Sequence, residues 1–163
     1  MNNSNHNSAK TCVKTLPRLF KLVNWQRDTG NIDIGGGRYN LVTDYLASLG
    51  VVNLVWDPYN RSLEHNARVM RMVNRCKAYS ATISNVLNVV KGEKDRYTVM
   101  RIAEGYSSGP VYITVYEGNK SGVPSISKRG TWQANRTLET YFDEVRKVFP
   151  VFQVKDKMII ARS

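Results

Sequence analysis

Gly30-Asn31-Ile32-Asp33-Ile34-Gly35-Gly36-Gly37-Arg38-Tyr39, followed by Val51-Val52-Asn53-Leu54-Val55-Trp56-Asp57, is the stretch whose reading decides the fold. A short apolar strand runs into a glycine turn, a helix, a second apolar strand and an acidic residue, which is half of a nucleotide-binding β-α-β unit. Glycines let the backbone pass beneath a ligand without a Cβ clash, and Asp57 is placed to accept hydrogen bonds from two ribose hydroxyls. The pattern predicts an adenosyl cofactor. A dinucleotide is disfavoured, because Asn40 stands where G-x-G-x-x-G has its third glycine. The 163 residues leave room for about one domain, without the second that a dehydrogenase usually needs.

Asp33-Ile34-Gly35-Gly36-Gly37 resembles the first motif of class I S-adenosylmethionine-dependent methyltransferases, D/E-x-G-x-G-x-G, with Tyr39 in place of the last glycine. The resemblance implies a three-layer αβα Rossmann-like sheet, mostly parallel, with an antiparallel C-terminal hairpin strand. It also implies S-adenosylmethionine as cofactor, with Asp33, Gly35, Gly36, Gly37 and Tyr39 beside the methionine moiety, Asp57 on the ribose, and Pro58 and Tyr59 at the adenine edge. Ser84 and Asn85, at the end of the expected fourth-strand segment, complete the implied cofactor site.

The rest of the chain follows the same order. Arg38 to Leu49 carries Val42, Tyr45, Leu46 and Leu49 at helical spacing and stops at Gly50, suited to a left-handed cap. Ser62 predicts the cap of a second helix, with Leu63, Ala67, Met70 and Val73 on one face and Arg68, Arg71 and Arg75 on another. Ala81 to Val90 reads as a central strand running into a loop, Glu93 to Tyr106 as a helix and Pro110 to Tyr116 as a strand. Thr137 is placed to cap a helix whose inward face is Leu138, Tyr141, Phe142, Val145 and Val148, and residues 151–154 and 158–161 predict a terminal hairpin. Only Arg75 to Ser80 separate the second helix from Ala81, too few for a full third strand, so a reduced third strand is expected. Thr15 to Trp25, with a capping Thr and an early Pro17, predicts a leading helix over the cofactor side. The Asn- and Ser-rich start predicts a disordered tail over 1–12 ahead of a single domain over 13–163.

The net charge of +11 concentrates polyanions near the surface and makes nucleic acid a natural partner. Lys128, Arg129, Trp132 and Arg136 combine charge with an aromatic ring and are the expected substrate-binding residues, in a long polar segment after the fifth strand. Cys12 and Cys76 form no spaced cluster and read as reduced thiols; His6 and His65 lack a ligand constellation, so no metal is expected. No apolar run approaches the ~20 residues of a membrane span and the N-terminus lacks an apolar signal region, which predicts a cytoplasmic protein without a membrane segment. The oligomeric state is left open.

Methyl transfer from a sulfonium needs an in-line arrangement of acceptor, carbon and sulfur, so positioning supplies much of the catalysis. Asn85 is the expected partner of an acceptor N–H, and Tyr116 and Glu117 are the expected groups to orient or deprotonate the acceptor. Many amino-methyltransferases of bases carry D/N/S-P-P-Y/F where this chain has Ser84-Asn85-Val86-Leu87, a departure that weighs against a base N-methylase. The acceptor stays open, with nucleic acid a candidate. Two alternatives share the fold: a non-catalytic nucleic-acid or protein interaction module, and an enzyme that cleaves S-adenosylmethionine.

Overall fold

The computed structural model describes residues 15–128 and 130–163, so the expected tail, Cys12 and Arg129 lie outside the described residues. The strands are β1 (Thr29–Ile34), β2 (Val51–Trp56), β3 (Ser80–Ser84), β4 (Val111–Thr114), the short pair β5 (Ser125–Ile126) and β6 (Trp132–Gln133), and the terminal β7 (Val151–Lys155) and β8 (Met158–Arg162). The helices are α1 (Arg18–Leu22), α2 (Leu41–Ser48), α3 (Leu63–Arg75), α4 (Glu93–Tyr106) and α5 (Phe142–Arg146). The fold is α/β. Six strands form a mixed, mostly parallel sheet in the order β2-β1-β3-β4-β8-β7, in which β8 runs antiparallel to both neighbours.

Alternation along the strands divides the core into two layers. Ile32, Ile34, Ala81, Ile83, Val111, Ile113, Ile159 and Ala161 join Val69 and Val73 of α3, Met100 and Ala103 of α4, and Leu138, Tyr141 and Val145. On the other face Leu19 and Phe20 of α1 and Val42 and Leu46 of α2 pack with Val51 and Met158. Parallel strands buried on both faces need this double cover.

Several boundaries differ from the sequence reading, each for a local reason. The leading helix is only Arg18–Leu22, with Pro17 rather than Thr15 at its N-cap. Val23 turns extended and Trp25 folds back, stacking on Phe20 at 6.1 Å and donating its indole N–H to the Phe20 carbonyl. The central strand ends at Ser84, because Asn85 takes a left-handed φ of 57° and the chain then winds into a 3₁₀ turn over Leu87–Val89. The fourth parallel strand is Val111–Thr114, shorter than Pro110 to Tyr116. α3 starts at its Ser62 cap as expected, but its buried face is Asn66, Val69 and Val73, with Leu63 88% exposed. Asn66 is turned inward because its amide brackets the backbone of Asp57, accepting from the Asp57 N–H at 3.0 Å and donating to its carbonyl at 2.9 Å. Thr137 makes no side-chain cap; the Leu138 N–H donates instead to Glu117, and a 3₁₀ turn over Leu138–Tyr141 precedes α5. The Thr140 hydroxyl donates to the Thr137 carbonyl at 2.7 Å, competing for the acceptor that a continuous helix would use.

No strand lies between α3 and β3; Ala78 makes only an isolated parallel bridge with Ser107, and β2 is the edge strand. Two left-handed residues, Asp156 and Lys157, turn β7 into β8, as a two-residue hairpin requires. Among the described residues no helix is long and apolar enough to cross a membrane.

Candidate functional site

The glycine loop after β1 is shaped by two carboxyl groups. A Cβ on Gly36 would collide with the Asp33 carboxyl, and Gly37 holds a φ of +78°, where a side chain is strained. Asp57, 3% exposed at the end of β2, accepts the Gly37 N–H and the Asn60 side-chain amide on one oxygen and the Tyr59 and Asn60 N–H groups on the other, all at 2.9 Å. Arg61 completes the clamp, donating to the carbonyls of Gly37 at 2.8 Å and Tyr39 at 3.2 Å and to the Asn40 side chain at 3.0 Å. A carboxylate offers about four acceptor positions, and here the protein fills them. Asp57 therefore fastens the glycine loop to the loop after β2, which is a different task from the ribose contact expected of it.

Asp33 heads a buried polar ladder on the α1/α2 face of the sheet. Thr82 donates its hydroxyl to Asp33 at 2.9 Å and accepts from Asn31 at 3.0 Å; Asn31 also donates to Asn53 at 2.9 Å and accepts from Ser80 at 2.9 Å. Burial pushes the Asp33 carboxyl up to about 7; the Thr82 hydrogen bond opposes this, and the Asp57 charge adds to it. The group is thus poised to ionise when a cation arrives.

A cleft of about 310 Å³ opens at the carboxyl ends of β1, β2 and β3. Asp33, Gly35, Gly36, Tyr39, Asp57, Pro58, Tyr59, Ser84 and Asn85 all line it; Gly37 does not, serving the loop through its N–H. Tyr39 and Tyr59 are 48% and 69% exposed at its mouth. Phe20 and Val42 close one side, Val99 and Ile102 of α4 another. Sequence reasoning missed Asn60. Its Oδ1 is buried without a partner, while its amide nitrogen is fixed on Asp57; the Ser84 Oγ in the same wall is also buried and unpartnered. Orphaned buried polar atoms are uncommon in folded proteins and call for an explanation; Arg136 Nε and Tyr141 Oη, which do not border the cleft, are orphaned as well. The only signal in the sequence was the proximity of Asn60 to Asp57.

A second cleft of about 350 Å³ lies beside the first and shares Asn85 with it. Tyr116 and Glu117, the other expected catalytic residues, line this second cleft, with Arg18, Lys120 and Lys157. Glu117 is an occupied acceptor. It accepts from the Leu138 N–H at 2.9 Å, Lys157 at 2.9 Å and Lys120 at 3.2 Å, and these partners, the backbone N–H first, hold its carboxyl down at about 2. Its role is to cap the turn at Leu138 and to gather two lysines.

The expected substrate residues are dispersed. Lys128 is exposed on a turn and Trp132 half-buried on β6; neither borders either cleft. Arg136 is occupied by Glu144 at 3.0 Å and lies 3.9 Å over the Tyr141 ring, within a cluster where Arg96 holds the same carboxylate at 2.7 Å. The long segment after β4 is anchored at its base: Asn88 accepts from the Tyr116 N–H and donates to Gln133, which donates to the Tyr116 carbonyl, while Asn135 donates to Val123 and Ser125. Cys76 is an exposed free thiol. A scan against protein-family models finds no match to the chain, and a search of curated proteins finds none.

Proposed function

We propose that the chain is an S-adenosylmethionine-dependent methyltransferase on a Rossmann-like fold, with the cofactor in the first cleft. The observation that carries this reading is the cleft at the carboxyl ends of β1, β2 and β3, where two orphaned acceptors face a glycine loop and a buried acid. The sheet order, with its antiparallel β8 between β4 and β7, agrees with the methyltransferase resemblance of the sequence. In this assignment Asp33 meets the positively charged end of the ligand across Gly36, and Asn60 Oδ1 accepts from the ribose in place of Asp57. Pro58 and Tyr59 border the adenine, with Val99 and Ile102 as its apolar wall. When bound, the cofactor supplies an electrophilic methyl group on a sulfonium. The protein's part is to align an acceptor with it and exclude water, with Asn85 placed where both clefts meet.

Titration calorimetry of the full chain with S-adenosylmethionine and S-adenosylhomocysteine, with NAD and ATP as controls, tests the reading. Both adenosyl ligands should bind and the controls should not, and Asn60→Ala should weaken both by roughly tenfold, the loss of about one hydrogen bond. No heat with either adenosyl ligand would overturn the assignment. Binding followed by cofactor consumption without methyl incorporation into RNA, DNA, protein or small-molecule pools would point to cleavage instead.

A further inference from the structure

The second cleft has a composition of its own. Its mouth carries Arg18, Lys120 and Lys157 around the carboxylate of Glu117, whose proton affinity is too low for it to be neutral at working pH. Lys120 and Lys157 share Glu117, and Glu139 acts on Lys157 from nearby, so three cations face two carboxylates and a modest excess of positive charge remains, centred on Arg18. Arg18 is exposed and has no hydrogen-bond or ion-pair partner among the described residues, so its guanidinium faces the cleft without a counter-ion there. Tyr116, 62% exposed, presents an aromatic ring at the same cleft. Asn85, the wall shared with the first cleft, is exposed and its side-chain amide makes no hydrogen bond among the described residues, although its backbone N–H is fixed on the Thr114 carbonyl at 2.9 Å. The volume of about 350 Å³ is within the ordinary range for a small-molecule site.

An aromatic face, an amide that both donates and accepts, and an excess of cations at the rim match three parts of one chemical unit. The ring stacks on a nucleobase, the amide pairs with a base edge, and the cations receive a phosphate. An acidic peptide would use the cations and leave the ring and amide idle.

We propose that the second cleft binds a nucleotide unit, its base between Tyr116 and Asn85 and its phosphate at Arg18, Lys120 and Lys157. Binding stands on the second cleft alone; that the bound base is the methyl acceptor rests on the cofactor reading of the first. In that transfer a lone pair of the base forms the new bond to the methyl carbon, the carbon–sulfur bond breaks with its electrons on sulfur, and a proton lost from the methylated atom passes to water.

The test is fluorescence anisotropy of labelled single-stranded DNA and RNA dodecamers with the full chain, from 50 to 300 mM salt, with AMP, CMP and oligoglutamate as competitors. Tyr116→Ala should weaken binding at least about tenfold through lost stacking. Arg18→Ala should weaken it and reduce the salt slope by about one, whereas Arg71→Ala on the far-lying α3 stripe should change it little. Competition by the mononucleotides would assign free nucleotides as the source, and retention of the oligomer alone would assign the polymer; either supports the site. Equal losses in all three variants, or no loss at Tyr116 and Arg18, would reduce the affinity to general surface charge and overturn the proposal. Displacement by oligoglutamate as readily as by AMP would overturn it as well. Melting curves and calorimetry with S-adenosylmethionine on Tyr116→Ala separate the two assignments, because that ring borders only the second cleft. In the unsubstituted chain, cofactor binding without nucleotide binding sinks this inference alone, and the converse sinks the methyltransferase reading alone.

Discussion

Asp33 is buried with one hydroxyl partner and no ion pair among the described residues, the Arg61 charge opposing its shift only weakly, and the cost of its charge is written into its proton affinity. Folded, the carboxyl is pushed up to about 7 from an ordinary 3.8, so it holds its proton more tightly in the native than in the unfolded chain. Unfolding therefore releases a proton between these values, and stability falls as pH rises from about 4 to about 7 before levelling off. The gap of about three units corresponds to roughly 4 kcal/mol. Asn at this position mimics the protonated acid and keeps an acceptor for Thr82. Asp33→Asn should therefore flatten the pH dependence of urea unfolding between pH 5 and 8 and raise stability at pH 8. Parallel curves for both proteins would show that the buried charge costs nothing. The same buried acid explains a trade: a residue poor for stability at neutral pH is a strong attractor for a ligand that brings positive charge.

At the scale of elements, α4 contains a glycine that serves no turn. Gly105 is exposed in its last turn, and a Cβ built there meets nothing within 4 Å. Gly105→Ala should stabilise the chain by about 0.5–1 kcal/mol through lost backbone freedom in the unfolded state, read as a melting temperature about 1–4 °C higher. A lower melting temperature would mean that the glycine answers a packing constraint. α4 was also the element whose bounds were most legible in the sequence, from a sustained helical period, but of the expected inward face Val99, Ile102, Ala103 and Tyr106 only Ala103 is buried, beside Met100 and Arg96, whose guanidinium turns in to Glu144. The terminal hairpin was legible for the same reason, its alternation being broken by a short polar turn. What the periodicity could not carry was set by single side chains acting across the fold. Asn66 rotates α3 by bracketing Asp57, Asn85 stops β3 by turning left-handed, and Glu117 caps the turn at Leu138 from the loop after β4. The site was legible in the same measure. The residues of the glycine loop and the ends of β2 and β3 converge on one cleft, as their strand positions require. Asn60, Arg18, Lys120 and Lys157 carry no spacing signal, and only the folded arrangement brings them to the clefts.

The molecule as a whole combines a strong positive charge with an open sheet edge. Among the described residues β2 has no strand on its outer side, and Val52 on it is 61% exposed without a lysine or proline to blunt the edge. At low ionic strength the net charge of +11 keeps copies apart; at 1 M salt the Debye length falls to about 3 Å and that protection disappears. Sedimentation velocity should therefore show a monomer at 50 mM salt and self-association at 1 M, suppressed by Val52→Lys. Association that weakens with salt would instead point to a charged contact elsewhere.

Asn85 belongs to two clefts at once, and a single amide cannot turn both ways without favouring one occupant's geometry over another. Were both clefts filled as proposed, they would be linked in the thermodynamic sense: whatever factor the first ligand imposed on the affinity of the second, the second would impose on the first. Ordered binding and mutual enhancement would need no moving domain and no distant relay, only one side chain whose orientation both ligands read.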